Sequence, residues 1–217
     1  YRCQIHDLKV DGANRATNLI GIKDSYGVTI EDNVLVGAGN NASIVTGNNI
    51  DNTYDTNTIT NTVNLARAFW IGNPTAAEFE QGPHIYGNTI TVSGATGIAF
   101  TAVDADVQNN VLTSSGGADG SCFAISGTDD YYSHRATIKG NTCTNFKYHG
   151  VQADPIMTTQ YLSNIVVYGN TVRGSTHTGI YLVRSKDWSI QYNTIENNHE
   201  AGIKIDTSKN IVVEHNT

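Results

Sequence analysis

Residues 178–194 read TGIYLVRSKDWSIQYNT, and residues 201–217 read AGIKIDTSKNIVVEHNT. Each stretch holds the same two phrases. One is a small residue followed by apolar, any, apolar: Gly179, Ile180, Tyr181 and Leu182, then Gly202, Ile203, Lys204 and Ile205. The other is an apolar residue, two others, then Asn: Ile190 to Asn193, and Val213 to Asn216. Alternation with a period of two marks a strand that buries one face. Each phrase is too short for a helix, and no helical period runs through either stretch.

Both phrases recur up the chain. The Asn phrase returns with Asn33, Asn88, Asn110, Asn141 and Asn170, more loosely with Asn57, and Leu8 takes the Asn place in a first copy. The small-residue phrase returns at Gly97, Gly150, Cys122 and Ala68, with partial copies at Gly21 and Ser43. Successive asparagines lie 22 to 31 residues apart, the length of one solenoid coil. Stacked coils put equivalent residues about 4.8 Å apart in parallel register. A side-chain amide donates and accepts at once, so eight stacked asparagines form an internal ladder that satisfies itself. The expected fold is all-β: a single-stranded parallel β-helix of about eight to nine coils. The crossover rule makes it right-handed. It forms one domain over 1–217, expected to be a piece of a longer chain lacking both caps, because open solenoid ends expose strand edges.

Composition narrows the function. At a net charge of -7, the chain has no general basic surface for nucleic acid. Any attraction to an acidic polysaccharide must come from a local patch. No run approaches the roughly 18 apolar residues of a membrane span. Cys3, Cys122 and Cys143 are odd in number and fit no zinc or redox spacing, so all three are expected as small, buried or half-buried residues.

The repeats at 178–198 and 201–217 resemble the right-handed parallel β-helix, or pectate-lyase-like, superfamily, and the likeness runs over nearly the whole chain. The superfamily includes pectate lyases, polygalacturonases, alginate epimerases and lyases, and phage tailspikes that cut surface polysaccharides. The resemblance is strongest to the tailspike depolymerases. It implies an extracellular protein that acts on a polysaccharide, with a homotrimer as its assembly.

Three coils carry about eight extra residues, near 72–82, 127–135 and 154–163, all leaving the same turn. Insertions confined to one face of a repeat protein mark its binding face. Two of them offer Glu80, Asp129, Asp130, Tyr132 and Arg135 to a substrate. Outward positions on the adjoining strand are expected two and four residues after each small residue. They run from Lys23 and Ser25 through Trp70, Thr101 and Gln152 to Asp206. Trp70 offers a flat ring to a sugar face, whereas Trp188 lies on the inward pattern and belongs to the core.

The last coils gather His149, Gln152, Asp154, Tyr181, Arg184, Lys204 and Asp206. Asp154 and Asp206 share one position two coils apart, about 9.6 Å by strand spacing. Such a pair suits an inverting glycosidase, with one carboxyl as acid and the other as base. A loop acid, Glu80, Asp129 or Asp130, could replace either one. Alternatively, His149, Tyr181 or Lys204 removes the C5 proton of a uronic acid while Arg184 clamps its carboxylate, as in a lyase or epimerase. Alginate epimerases carry Asp-Pro-His-Glu after the Gly-apolar pair. Here Asp154 and Pro155 lack the His and Glu. A non-catalytic adhesin or fibre shaft is the third alternative. No cofactor is implied. Asp129 and Asp130 could contribute to a calcium site, though two carboxylates fall short of its six to eight oxygens.

Overall fold

The computed structural model describes residues 3–61, 67–72, 79–116, 120–127, 133–153 and 161–217, with backbone only at 40–41. Within them every regular element is a β-strand, and every strand pair is parallel. The strands stack into a ten-stranded sheet, a fourteen-stranded sheet and a short two-stranded one. Strands adjacent in a sheet belong to successive coils, which is the topology of a solenoid.

Apolar residues repeat at coil length, so stacking turns each repeat position into a column. Ile5, Ile30, Tyr54, Ile85 and Val107 stand in register, and Ile138, Val167, Ile190 and Val213 continue the column. A second column runs Leu35, Ile59, Ile90, Leu112, Cys143, Val172 and Ile195. A third runs Ile44, Phe69, Ile98, Phe123, Val151 and Ile180. Most of these side chains are fully buried, each contributing roughly 1.5–3 kcal/mol. Trp188 joins them, its indole N–H donating to the Leu162 carbonyl at 2.9 Å.

The ladder is complete from Asn33 to Asn216. Each Nδ2 donates to the Oδ1 of the next asparagine at 2.9–3.0 Å. Each Nδ2 also reaches a carbonyl of the coil before, such as Val107 from Asn141. Each ladder N–H donates to the next Oδ1, and Leu8, which lacks an amide, still gives its N–H to Asn33. The residue before each ladder asparagine has φ between 49° and 64°. Asp32, Asn109 and Gly140 adopt that left-handed corner cheaply. Tyr192 and His215 do not, and their rings stack at 4.8 Å. The eight asparagines enclose seven turns, slightly fewer than the eight to nine coils expected.

The small residue of the other phrase has a steric cause. A Cβ on Gly150 would meet Val172 Cγ1 at 2.1 Å, and one on Gly179 would meet Ile195 Cγ2 at 2.4 Å. This position therefore presses against the second apolar column. Cys122 occupies it in one coil, Cys143 occupies the facing column, and the two form a disulfide. Cys122 and Cys143 are buried as expected, joined by a bridge the spacing did not reveal, whereas Cys3, expected to be buried or half-buried, is exposed.

The register differs from expectation at one end. Gly21, not Lys23, pairs with Val45, and Lys23 pairs with Gly47. The strand Lys9–Lys23 contains register shifts on either side of Ala16, and beyond them the pairing lies two residues from the one expected. Thr101, expected to face solvent, is buried.

Candidate functional site

One outward column crosses seven coils: Val45, Trp70, Ala99, Ala124, Gln152, Tyr181 and Lys204, each paired with the next. It lies on the strands that precede the three longer turns. The chain leaves after Ile71, Ile125 and Ala153 and re-enters the stack at Glu80–Gln81, His134 and Leu162–Ser163.

Next to Val45 the column presents an aromatic. Trp70 is half-buried, and the Arg67 guanidinium lies 4.4 Å from its ring centroid. Ala99 and Ala124 follow, so two coils of the wall have almost no side chain. Gln152 comes next, and its Oε1 accepts the Ser121 hydroxyl hydrogen at 2.6 Å.

The far end is rich in titratable groups. His149 is buried under Tyr148 (4.2 Å between centroids), Tyr181 (4.9 Å) and His177 (5.8 Å). Loss of hydration disfavours the imidazolium and brings the His149 pKa down to about 4. Its Nδ1 accepts the Thr178 N–H at 3.2 Å, so in the neutral ring the hydrogen resides on Nε2. His177 Nδ1 pairs with Glu200 at 2.7 Å. The Tyr181 hydroxyl donates to Asp206 Oδ2 at 3.1 Å. Lys204 lies 5.1 Å from the Tyr181 ring centroid and 3.9 Å from Asp206. This arrangement holds a hydrogen-bond donor, a phenol, a carboxylate and an ammonium on adjoining strands, groups able to give and take protons.

The structure therefore brings His149, Gln152, Tyr181, Lys204 and Asp206 together and adds Tyr148, His177 and Glu200, which the sequence reading missed. Their spacing was a usable signal. Tyr148, His177 and Glu200 lie 29 and 23 residues apart, the same intervals as Asn141, Asn170 and Asn193. Arg184 is exposed at a corner with φ 48°, one residue beyond the strand Thr178–Val183. Asp154, Asp129, Asp130 and Tyr132 lie outside the described residues, and the calcium reading at Asp129 and Asp130 falls there too.

Two loop residues have other places. Glu80, expected as a substrate-facing acid, is buried in the coil interior at 0% exposure. It accepts the Tyr54 hydroxyl at 2.8 Å and also the Thr46 hydroxyl. Burial raises its pKa to about 7. The cause of the misreading is that the chain has already rejoined the stack there: Glu80 pairs with Ala102, an inward residue. Arg135 forms a two-pronged ion pair with Asp104, at 2.7 and 2.9 Å, on an exposed corner.

Among the described residues no helix is long and apolar enough to cross a membrane. Residues 75–217 match the family model described as "Right handed beta helix region". The A-module of the Azotobacter vinelandii mannuronan C-5 epimerase AlgE4 superposes with a TM-score of 0.53 at 16% identity, over 88% of this chain and 51% of its own. The catalytic domain of a GH87 α-1,3-glucanase in complex with nigerose superposes with a TM-score of 0.52 at 14% identity, over 99% of this chain and 49% of its own. The chain thus spans about half the length of these two solved chains. No curated protein matches it.

Proposed function

The chain belongs to the right-handed β-helix family, and from that premise we propose that it is a carbohydrate-active protein that binds a polysaccharide across its coils and hydrolyses it. The observation that carries this reading is the stretch of one outward column that runs from Trp70 across Ala99 and Ala124 into the His149 cluster. Trp70 stacks on a sugar face, the two alanines leave room for the chain, and Gln152 offers an amide to ring hydroxyls. Cleavage falls at the last three coils.

In this reading Asp206, oriented by the Tyr181 hydroxyl, is one of two carboxyl groups, and Asp154 is the other. Asp154 follows Ala153 in the chain, and the register Ala153, Leu182, Ile205 leads two coils on to Asp206. One carboxyl protonates the glycosidic oxygen while the other takes a proton from the attacking water. His149 Nε2–H donates a hydrogen bond to a sugar oxygen.

A specific observation favours a second reaction. His149, Tyr181 and Lys204 are neighbours, and a phenol beside an ammonium suits abstraction of a C5 proton from a uronic acid by Tyr181, with His149 Nε2–H as a hydrogen-bond donor. Incubation with a broad glycan panel separates the readings. New reducing ends without ultraviolet absorbance support hydrolysis. Unsaturated ends that absorb replace it with a lyase, and an altered uronate configuration with no cleavage replaces it with an epimerase. Binding without any product leaves an adhesin or shaft. We place the protein outside the cell, where the disulfide beneath the site persists, and sedimentation would show the three-fold assembly of a tailspike.

A further inference from the structure

We propose that Arg67 and Trp70 form a subsite for an anionic substituent of the polysaccharide, so that the substrate is an acidic glycan; this rests on the polysaccharide reading above. Arg67 opens the strand Arg67–Ile71, and its guanidinium covers one face of the Trp70 ring at 4.4 Å. Half-buried, it makes no ion pair and no side-chain hydrogen bond among the described residues. Its backbone carbonyl accepts from Asn61 Nδ2 at 2.7 Å. Arg135, by contrast, has both prongs of its fork filled by Asp104.

A half-buried guanidinium whose N–H donors meet no acceptor among the described residues favours the arrival of a partner. Stacking on Trp70 satisfies the face of the group and leaves its edge, where the donors lie. A planar carboxylate, or a sulfate or phosphate ester, fits that edge with two parallel hydrogen bonds. A neutral sugar hydroxyl fills one donor and leaves the charge unmatched. The position fits the site as well. Arg67 precedes Trp70 by three residues, as His149 precedes Gln152, and Trp70 and Gln152 occupy one column. A glycan running down that column meets Arg67 about 14 Å, three strand spacings, before His149. A net charge of -7 gives polyanions no general attraction, so a local cation in the groove decides whether one binds.

The test uses the intact chain with polygalacturonate, alginate and dextran. Phenylglyoxal modifies accessible guanidinium groups, and mass spectrometry of the digest reads each arginine separately. Protection of Arg67 by a polyuronate but not by dextran is expected, with Arg135 unprotected as the internal control. In titration calorimetry Arg67→Gln should weaken polyuronate binding at least about tenfold, the loss of one charge-assisted contact. Arg67→Lys should keep part of the affinity. If Arg67→Gln does not fold, the protection result on the unaltered chain still decides. Equal reactivity of Arg67 with and without polyuronate, in a protein that does bind a glycan, overturns the anionic subsite and leaves the groove standing. Failure to bind any of the three overturns both.

Discussion

Glu80 provides the sharpest stability test, because a carboxyl group inside the coil couples folding to pH. Its ordinary value is 4.5, and burial raises it to about 7 in the folded chain. The folded protein therefore keeps a proton that the unfolded chain releases, and stability falls as pH rises from about 4.5 to about 7. At 1.36 kcal/mol per pH unit, the separation of about 2.5 gives a loss of about 3 kcal/mol. Glu80→Gln reproduces the neutral acid in shape: the amide oxygen accepts from Tyr54, and the amide nitrogen donates to Thr46. The variant should match the parent near pH 4.5 and exceed it by about 3 kcal/mol at pH 8. The difference between two urea unfolding series isolates this group. His149 acts in the opposite sense: its pKa, lowered to about 4, takes stability away as pH falls below about 6.5, and that contribution cancels in the comparison. Parallel pH profiles for the two proteins would refute the argument, because they would mean that Glu80 ionises freely in the fold.

Four further outcomes are expected. Asn141→Ala strips hydrogen bonds from Asn110, Asn170 and Val107 at once and should cost roughly 3 kcal/mol by denaturant unfolding, without moving neighbouring strands. Reducing the Cys122–Cys143 bridge, which closes a separation of 21 residues, should lower stability by about 3 kcal/mol in the same assay. Gly150→Ala drives a methyl into Val172 and the Gly179 carbonyl and should cost roughly 1–3 kcal/mol, whereas Gly21→Ala, whose Cβ meets nothing within 4 Å, should be tolerated. Asp206→Asn should lower turnover at least about a hundredfold with an unchanged melting temperature, and Tyr181→Phe less severely, as expected for acid–base groups on an exposed strand face.

The fold was legible because a parallel stack writes its register into the chain. Asn33 to Asn216 recur at coil length, and each amide has a partner only if the coils superpose. The columns of Ile30 and Ile98 follow from the same interval. What escaped notice depended on contacts across the coil rather than along it. Cys122 and Cys143 each stood in a recognised phrase, but the pairing needs the knowledge that those two columns touch, which Gly150 and Val172 show only in three dimensions. Glu80 was misplaced because polarity in a long turn suggests solvent, whereas the chain there has returned to an inward column. Lys23 was misplaced because the register shifts in Lys9–Lys23 have no strong sequence signature. In the candidate site, the alternation gave Gln152, Tyr181 and Lys204. Tyr148, His177 and Glu200 lie just before the strands and answer only to the coil interval.

The most direct measurement is an experimental structure of the protein soaked with oligogalacturonate. The account predicts a saccharide lying across the strands, with a ring on Trp70, a carboxylate at Arg67, and its other end beside His149, Tyr181 and Asp206. Saccharide bound on another face, with the Trp70 column bare, would contradict it.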